Sequence, residues 1–262
     1  MLVGLIRKRL DPWLARPDAT APAPHAVEDL VIPAATHAIA ARLYRAGAEV
    51  SDLLVFFHGG GLVSSSLATH DAVCRRLACG TGFDVLGVDY RLAPEHRYPA
   101  AHDDAETALA FAQTLGAQRL LAGGDSAGGL LAVGAAVRRA AAGRPLDGLA
   151  LFYPLLALDP VADDPRLFRR SRAWMRRQYT DRAHGETPDL AFPNAAALPP
   201  TFIASGGRDP VRLDAKRLVG GPVTHHLEPQ ATHGFLNLAG VSLRARGQSD
   251  RAIAALRAAF AP

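Results

Sequence analysis

The chain has 262 residues, with 29 basic and 25 acidic side chains, ten histidines, two cysteines and 49% hydrophobic residues. That length suits one domain with a sizeable core, and an apolar half beside 21% charged residues excludes wholesale disorder. Cys74 and Cys79 supply neither a disulfide framework nor a zinc site, and the net charge of +4 is spread along the chain instead of marking one nucleic-acid-binding element.

The uncharged stretches 53–70 and 190–207 are broken by glycines or prolines, so neither reads as a membrane helix. The start of the chain lacks the order of a signal peptide, and a cytoplasmic protein without stable membrane insertion is the expectation. Leu2, Leu5, Ile6, Leu10, Trp13 and Leu14 recur at helical spacing and predict a small amphipathic helix that docks on something. A Pro/Ala stretch at 18–24 separates it from two apolar runs, 26–32 and 38–44. Only 33–37 joins these, so they form an antiparallel hairpin at a sheet edge.

The next run, 53–57, ends in His58-Gly59-Gly60-Gly61. Consecutive glycines after a strand let backbone N–H groups approach a ligand closely. Gly60 and Gly61 are therefore candidate donors to an oxyanion, with Gly59 geometric; His58 and Gly59 are also candidate substrate contacts. A helix at 70–79, a strand at 85–89, a helix at 101–115 and a strand at 119–122 follow. They lead to Gly124-Asp125-Ser126-Ala127-Gly128, a G-x-S-x-G run between strand and helix. Such a turn exposes the serine hydroxyl, and its glycines leave room that any Cβ would fill. The Ala127 N–H opens the helix 126–142 as a third oxyanion donor. Gly143 closes that helix, with Pro145 beyond.

A strand at 148–153 precedes the one interval that breaks the alternation, 154–200. It holds a helical pattern at 166–180, with six arginines within 166–177, and a Pro- and Ala-rich piece at 186–200. It reads as an insertion over the carboxyl edge of the sheet, where open α/β sheets bind ligands, and the arginines read as a solvated helix face. Strands at 201–205 and 223–227 and helices at 210–219 and 243–260 complete the chain. Alternation on this scale means a mostly parallel sheet covered on both faces.

A serine hydroxyl needs a positioned base. His225 and His226 are adjacent in a strand and point to opposite faces, whereas His233 follows that strand on a loop that reaches the carboxyl edge. Asp209 occupies the corresponding loop after the preceding strand. Asp214 lies a turn into the next helix and reads as a member of a surface pair. Ser126, Asp209, His233 is the chain order of the α/β-hydrolase arrangement, not that of chymotrypsin or subtilisin.

With HGGG at 58–61, DYRLAPEHRYPAA at 89–101, GDSAGG at 124–129, LPPTFIASGGRDPVRLD at 198–214 and HGF at 233–235, the sequence resembles the hormone-sensitive-lipase-like branch of α/β-hydrolases. The resemblance implies an α/β-hydrolase fold with a mostly parallel eight-stranded sheet, helices on both faces and one domain over 1–262. It implies cap elements from about 1–24 and 155–198. It implies a serine esterase with catalytic Ser126, Asp209 and His233, an oxyanion hole of Gly60, Gly61 and Ala127, and no metal or organic cofactor. Its partners are then a small-molecule ester, expected to carry a short to medium acyl chain, and a second copy in a homodimer, with no nucleic acid. Tyr90, Arg91 and Glu95 are expected in a polar network of the site wall.

The region before His58, the 154–200 insertion and the Asp209–His233 interval are shorter than is usual in the family. A reduced cap and a more open pocket are therefore expected. Phe168, Trp174, Met175, Tyr179 and Phe192 are candidates to line it, with Trp174 and Met175 as substrate contacts; ordinary cap packing is the plainer reading of each. An amide or formamide hydrolase on the same triad stays open. A binding protein on this fold that has lost the base is the further rival, against which His233 speaks.

Overall fold

The computed structural model describes residues 2–49, 51–159, 164–180, 194–216, 218 and 221–261. Among the described residues there are eight strands, β1 (Ala26–Pro33), β2 (Ala38–Arg45), β3 (Leu53–Phe57), β4 (Asp84–Val88), β5 (Leu120–Asp125), β6 (Gly148–Phe152), β7 (Thr201–Gly206) and β8 (Val223–Glu228). They form one sheet in the order β1-β2-β4-β3-β5-β6-β7-β8. β2 pairs antiparallel with both β1 and β4, and every other pairing is parallel. The expected hairpin thus stands at one edge and β8 at the other.

Central strands are buried on both faces, so they read as unbroken apolar runs. β3 is LLVFF with every residue buried. Leu53, Val55 and Phe57 enter one core and Leu54 and Phe56 the other, the period-two alternation of a pleated strand. The first core is completed by α4 (Ala100–Gln113) and α5 (Ala127–Ala141), the second by α3 (Leu67–Thr81) and α8 (Leu243–Ala259). β5 runs three residues beyond its expected end. Gly123 and Gly124 give no apolar signal, yet they pair with Ala150 and Leu151.

Helix ends also differ from the expected bounds for local reasons. α3 starts at Leu67, and the Thr69 hydroxyl accepts the Ser66 N–H at 2.9 Å, the reach-back half of a capping box. Gly143 sits past α5 at φ +70°, and the Arg144 N–H returns to the Arg139 carbonyl at 2.9 Å, closing the helix as expected. The first segment is two helices, α1 (Leu2–Arg9) and α2 (Asp11–Leu14), with Pro12 in the first turn of the second. α7 is described at Arg212–Lys216, and α6 (Arg166–Tyr179) is the helix of the 154–200 interval.

The arginine-rich α6 is not a uniformly solvated face. Arg172 is fully buried. Its guanidinium meets the carboxylates of Asp164 and Asp214 and the Ala157 carbonyl. Asp214, expected in a surface pair, is therefore a buried anchor: it holds Arg172 and accepts the Leu156 N–H at 2.9 Å. Burial pushes its carboxyl up, against the pull of Arg172.

Candidate active site

Ser126 lies between the end of β5 and the start of α5, with φ +50° and ψ −118°, a backbone conformation that costs energy for any residue with a Cβ. The fold enforces it. The Ser126 N–H donates to the Phe152 carbonyl at 3.0 Å, and its carbonyl accepts from Leu155 N–H at 2.9 Å and Gly129 N–H at 3.1 Å. A Cβ on Gly124 would lie 2.5 Å from the Phe57 carbonyl oxygen, and one on Gly128 would overlap the same oxygen. The two glycines of the motif thus let β3, β5 and α5 close on one another.

His233 follows β8 on its loop, and Asp209 follows β7. The Asp209 side chain is fully buried; Oδ1 accepts the Val211 N–H at 2.8 Å, and Oδ2 lies 2.7 Å from His233 Nδ1. A carboxylate oxygen only accepts, so Nδ1 carries the proton and Nε2 presents its lone pair. That Nε2 is 2.9 Å from Ser126 Oγ. The Tyr153 ring and the imidazole make a T-shaped pair, with centroids 5.0 Å apart. The sequence thus brings together residues separated by 107 and 24 positions.

Gly60 and Gly61 line the same cavity with φ +112° and +66°. Both values favour glycine. Among the described residues neither N–H donates to another protein group. Ala127, next to Ser126, begins α5, its N–H at the positive end of the helix. The cavity holds about 690 Å³. Trp13 and Leu14 of α2 wall it together with Leu10 just before that helix, and Phe168 and Met175 wall it from α6.

Other expected contacts lie elsewhere. His58 is buried and turned from the cavity, stacked on Tyr90 with ring centroids 4.3 Å apart; its Nδ1 reaches the Gly59 carbonyl at 2.7 Å. Burial and the neighbouring His70 push it down to about 3. Gly59 faces Asp125, to whose Oδ1 its N–H donates at 2.7 Å. Trp174 packs on the core, and Tyr179 is buried against His102, 2.7 Å from its hydroxyl, so both serve cap packing; Phe192 lies outside the described residues. Tyr90, Arg91 and Glu95 make three separate ties instead of one network: Tyr90 to the His58 carbonyl, Arg91 to Asp104 and Glu95 to Arg7.

Sequence reasoning missed a buried polar group under Ser126. His70 Nε2 lies 3.2 Å from Asp125 Oδ1 and 3.0 Å from Asn237 Nδ2, and the Tyr153 hydroxyl donates to Asn237 Oδ1 at 3.2 Å. Burial raises the Asp125 carboxyl, but His70, the Gly59 N–H and His58 together outweigh it and hold the group below the usual range. Asp125 is visible as the variable position of the motif; nothing in the pattern marks His70 or Asn237. Among the described residues no three His, Cys, Asp or Glu side chains are grouped to hold a metal ion.

A family model described as alpha/beta hydrolase fold matches residues 54–237. Esterase LipI of Mycobacterium tuberculosis is 37% identical over 230 residues, 78% of this chain and 72% of that protein. Carboxylesterase NlhH of the same species is 38% identical over 79% of this chain and 74% of its own length. Among solved structures, a Pyrobaculum calidifontis esterase superposes with a TM-score of 0.87 at 30% identity, covering 98% of this chain and 93% of that one. The carboxylesterase EstE1 from a metagenomic library reaches 0.87 at 26% identity, covering 99% and 98%.

Proposed function

The chain belongs to the α/β-hydrolase family, in its hormone-sensitive-lipase-like esterase branch, and on that premise we propose that Ser126, His233 and Asp209 cleave carboxylic esters through an acyl-enzyme. The chain is a carboxylic ester hydrolase acting on small-molecule esters. Ser126 Oγ attacks the ester carbonyl while His233 Nε2 takes its proton. Asp209 keeps the proton of His233 on Nδ1 and stabilises the imidazolium. The N–H groups of Gly60, Gly61 and Ala127 receive the oxyanion of the tetrahedral intermediate. His233 returns the proton to the leaving alcohol, and water then repeats the sequence to release the acid. The unbroken contact from Asp209 through His233 to Ser126, 2.7 and 2.9 Å, carries this reading.

The acid is Asp209 and not Asp214, whose two oxygens are taken up by Arg172 and the Leu156 N–H. The cap in this reading is α1 and α2 from one side and α6 from the other. Ser126 stays half-buried beneath it, which favours an open pocket and short to medium acyl chains. No helix among the described residues is long and apolar enough to cross a membrane. A cytoplasmic location and a homodimer complete the proposal; the unpaired Cys74 and Cys79 favour the former.

Substitution S126A tests the assignment. Turnover of nitrophenyl acetate is expected to fall by about 10⁶-fold, to what the oxyanion site alone supplies, with the circular dichroism unchanged. Near-full turnover by the folded variant would refute it.

A further inference from the structure

The rim of the cavity carries apolar side chains that its neighbours leave uncovered. Leu10, Trp13 and Leu167 all line the cavity, yet they are 45%, 38% and 77% exposed. On α1, Leu2 and Leu5 share one exposed face three residues apart, while Val3 is buried. The exposure belongs to the fold and not to a fraying end, because Arg7 fastens α1 to the loop after the glycine run. Its guanidinium donates to the Val63 carbonyl at 2.6 Å, the Ala93 carbonyl at 2.7 Å and the Glu95 carboxylate at 2.9 Å.

Exposed cations flank these lining residues along the chain and make a cationic collar: Lys8 and Arg9 precede Leu10, Arg16 follows Leu14, and Arg166 and Arg170 bracket Leu167 and Phe168. Among the described residues, the acids of these segments face partners of their own: Asp11 Oδ2 accepts the Ser65 N–H at 3.2 Å, Glu95 holds Arg7, Asp159 holds Arg176, and Asp164 and Asp214 hold Arg172. Apolar side chains flanked by cations suit an element lying in the surface of an anionic bilayer, the leucines among acyl chains and the cations among headgroups. A nucleic acid would use the collar and leave the leucines in water. A second copy would bring collar against collar.

We propose that the face formed by α1, α2 and α6 docks on an anionic lipid–water interface, with the cavity mouth against the lipid. Docking is independent of catalysis; the entry of esters from the lipid side rests on the hydrolase reading above.

The full-length S126A protein, floated with vesicles of phosphatidylcholine containing about one third phosphatidylglycerol, is expected to rise with them, and not with phosphatidylcholine alone. R166Q/R170Q is expected to weaken partition on the order of twentyfold, from about fivefold per cation. L2S/L5S is expected to weaken it as well. None of these four residues lines the cavity, so the same substitutions in an active background leave hydrolysis of dissolved nitrophenyl acetate unchanged, which also reports folding. Three results would overturn the proposal: no association with the anionic vesicles at low salt, association that L2S/L5S leaves intact, or a dimer abolished by L2S/L5S without vesicle association. A protein that binds vesicles but cleaves no ester would overturn the catalytic reading and leave this one standing.

Discussion

Two aspartates five positions apart have opposite duties, and substitution separates them. Asp209 Oδ2 faces His233 Nδ1, so D209N presents an amide that can no longer hold the proton there; kcat is expected to fall about 10⁴-fold with little change in stability. Asp214 is fully buried against Arg172, so D214N leaves a buried guanidinium undercompensated; about 3 kcal/mol of stability is expected to go, while the folded fraction keeps its kcat. Steady-state kinetics beside urea unfolding measures both, and equal kinetic losses would show that the acid had been misassigned. His58 offers a pH test. In the unfolded chain a histidine protonates near 6.5, but buried His58 does so only at about 3. Between those values the unfolded state binds the extra proton, so stability falls as the pH drops through that window. The urea midpoint is expected to fall less in H58Q than in the parent between about pH 7 and pH 4; parallel slopes would contradict the burial argument.

Among the secondary-structure elements, α6 carries one fully buried charge. Arg172 joins it to the loop after β6 and to α7 through Ala157, Asp164 and Asp214, and α6 supplies Phe168 and Met175 to the cavity wall. R172M removes the guanidinium from two buried carboxylates, so α6 is expected to loosen: faster hydrogen exchange along it and a raised KM for a hydrophobic ester, with kcat for nitrophenyl acetate changed less than threefold. Unchanged exchange in α6 would contradict the anchoring role. The packing of α5 on β3 and β5 is legible in the sequence, because a glycine on each side of Ser126 in a strand-to-helix turn marks a place where backbones must touch. The buried duty of Arg172 is not: six arginines along one helix carry no mark of which one faces inward, and Asp164 just before the helix and the distant Asp214 pick out this one. For the same reason His58, beside three glycines, reads as a substrate contact in the sequence; its ring follows Tyr90, thirty-two positions away, into the core.

The whole molecule is a sheet that delivers three loops to one edge, with a cavity there that the proposed mechanism fills with an ester. The strand-and-helix alternation and the carboxyl-edge motifs are readable from periodicity and residue type. The polar group of His70, Asn237 and Tyr153 is not, since it joins α3, the loop after His233 and the end of β6 only in three dimensions. A cavity of about 690 Å³ walled by Leu10, Leu14, Phe168 and Met175 is expected to reward acyl chains longer than acetate up to medium length. Each buried methylene contributes about 0.8 kcal/mol, so kcat/KM for nitrophenyl esters is expected to rise about fourfold per carbon from acetate until the cavity is filled, then fall. A flat series would mean that the chain lies outside it. The most direct test is covalent: mixing the enzyme with excess nitrophenyl acetate and quenching in acid within milliseconds. One nitrophenol released per active site before steady turnover, with the acetyl mass on the peptide bearing Ser126, is the expected result; an acetyl group on another residue, or release without a burst or an adduct, would contradict it.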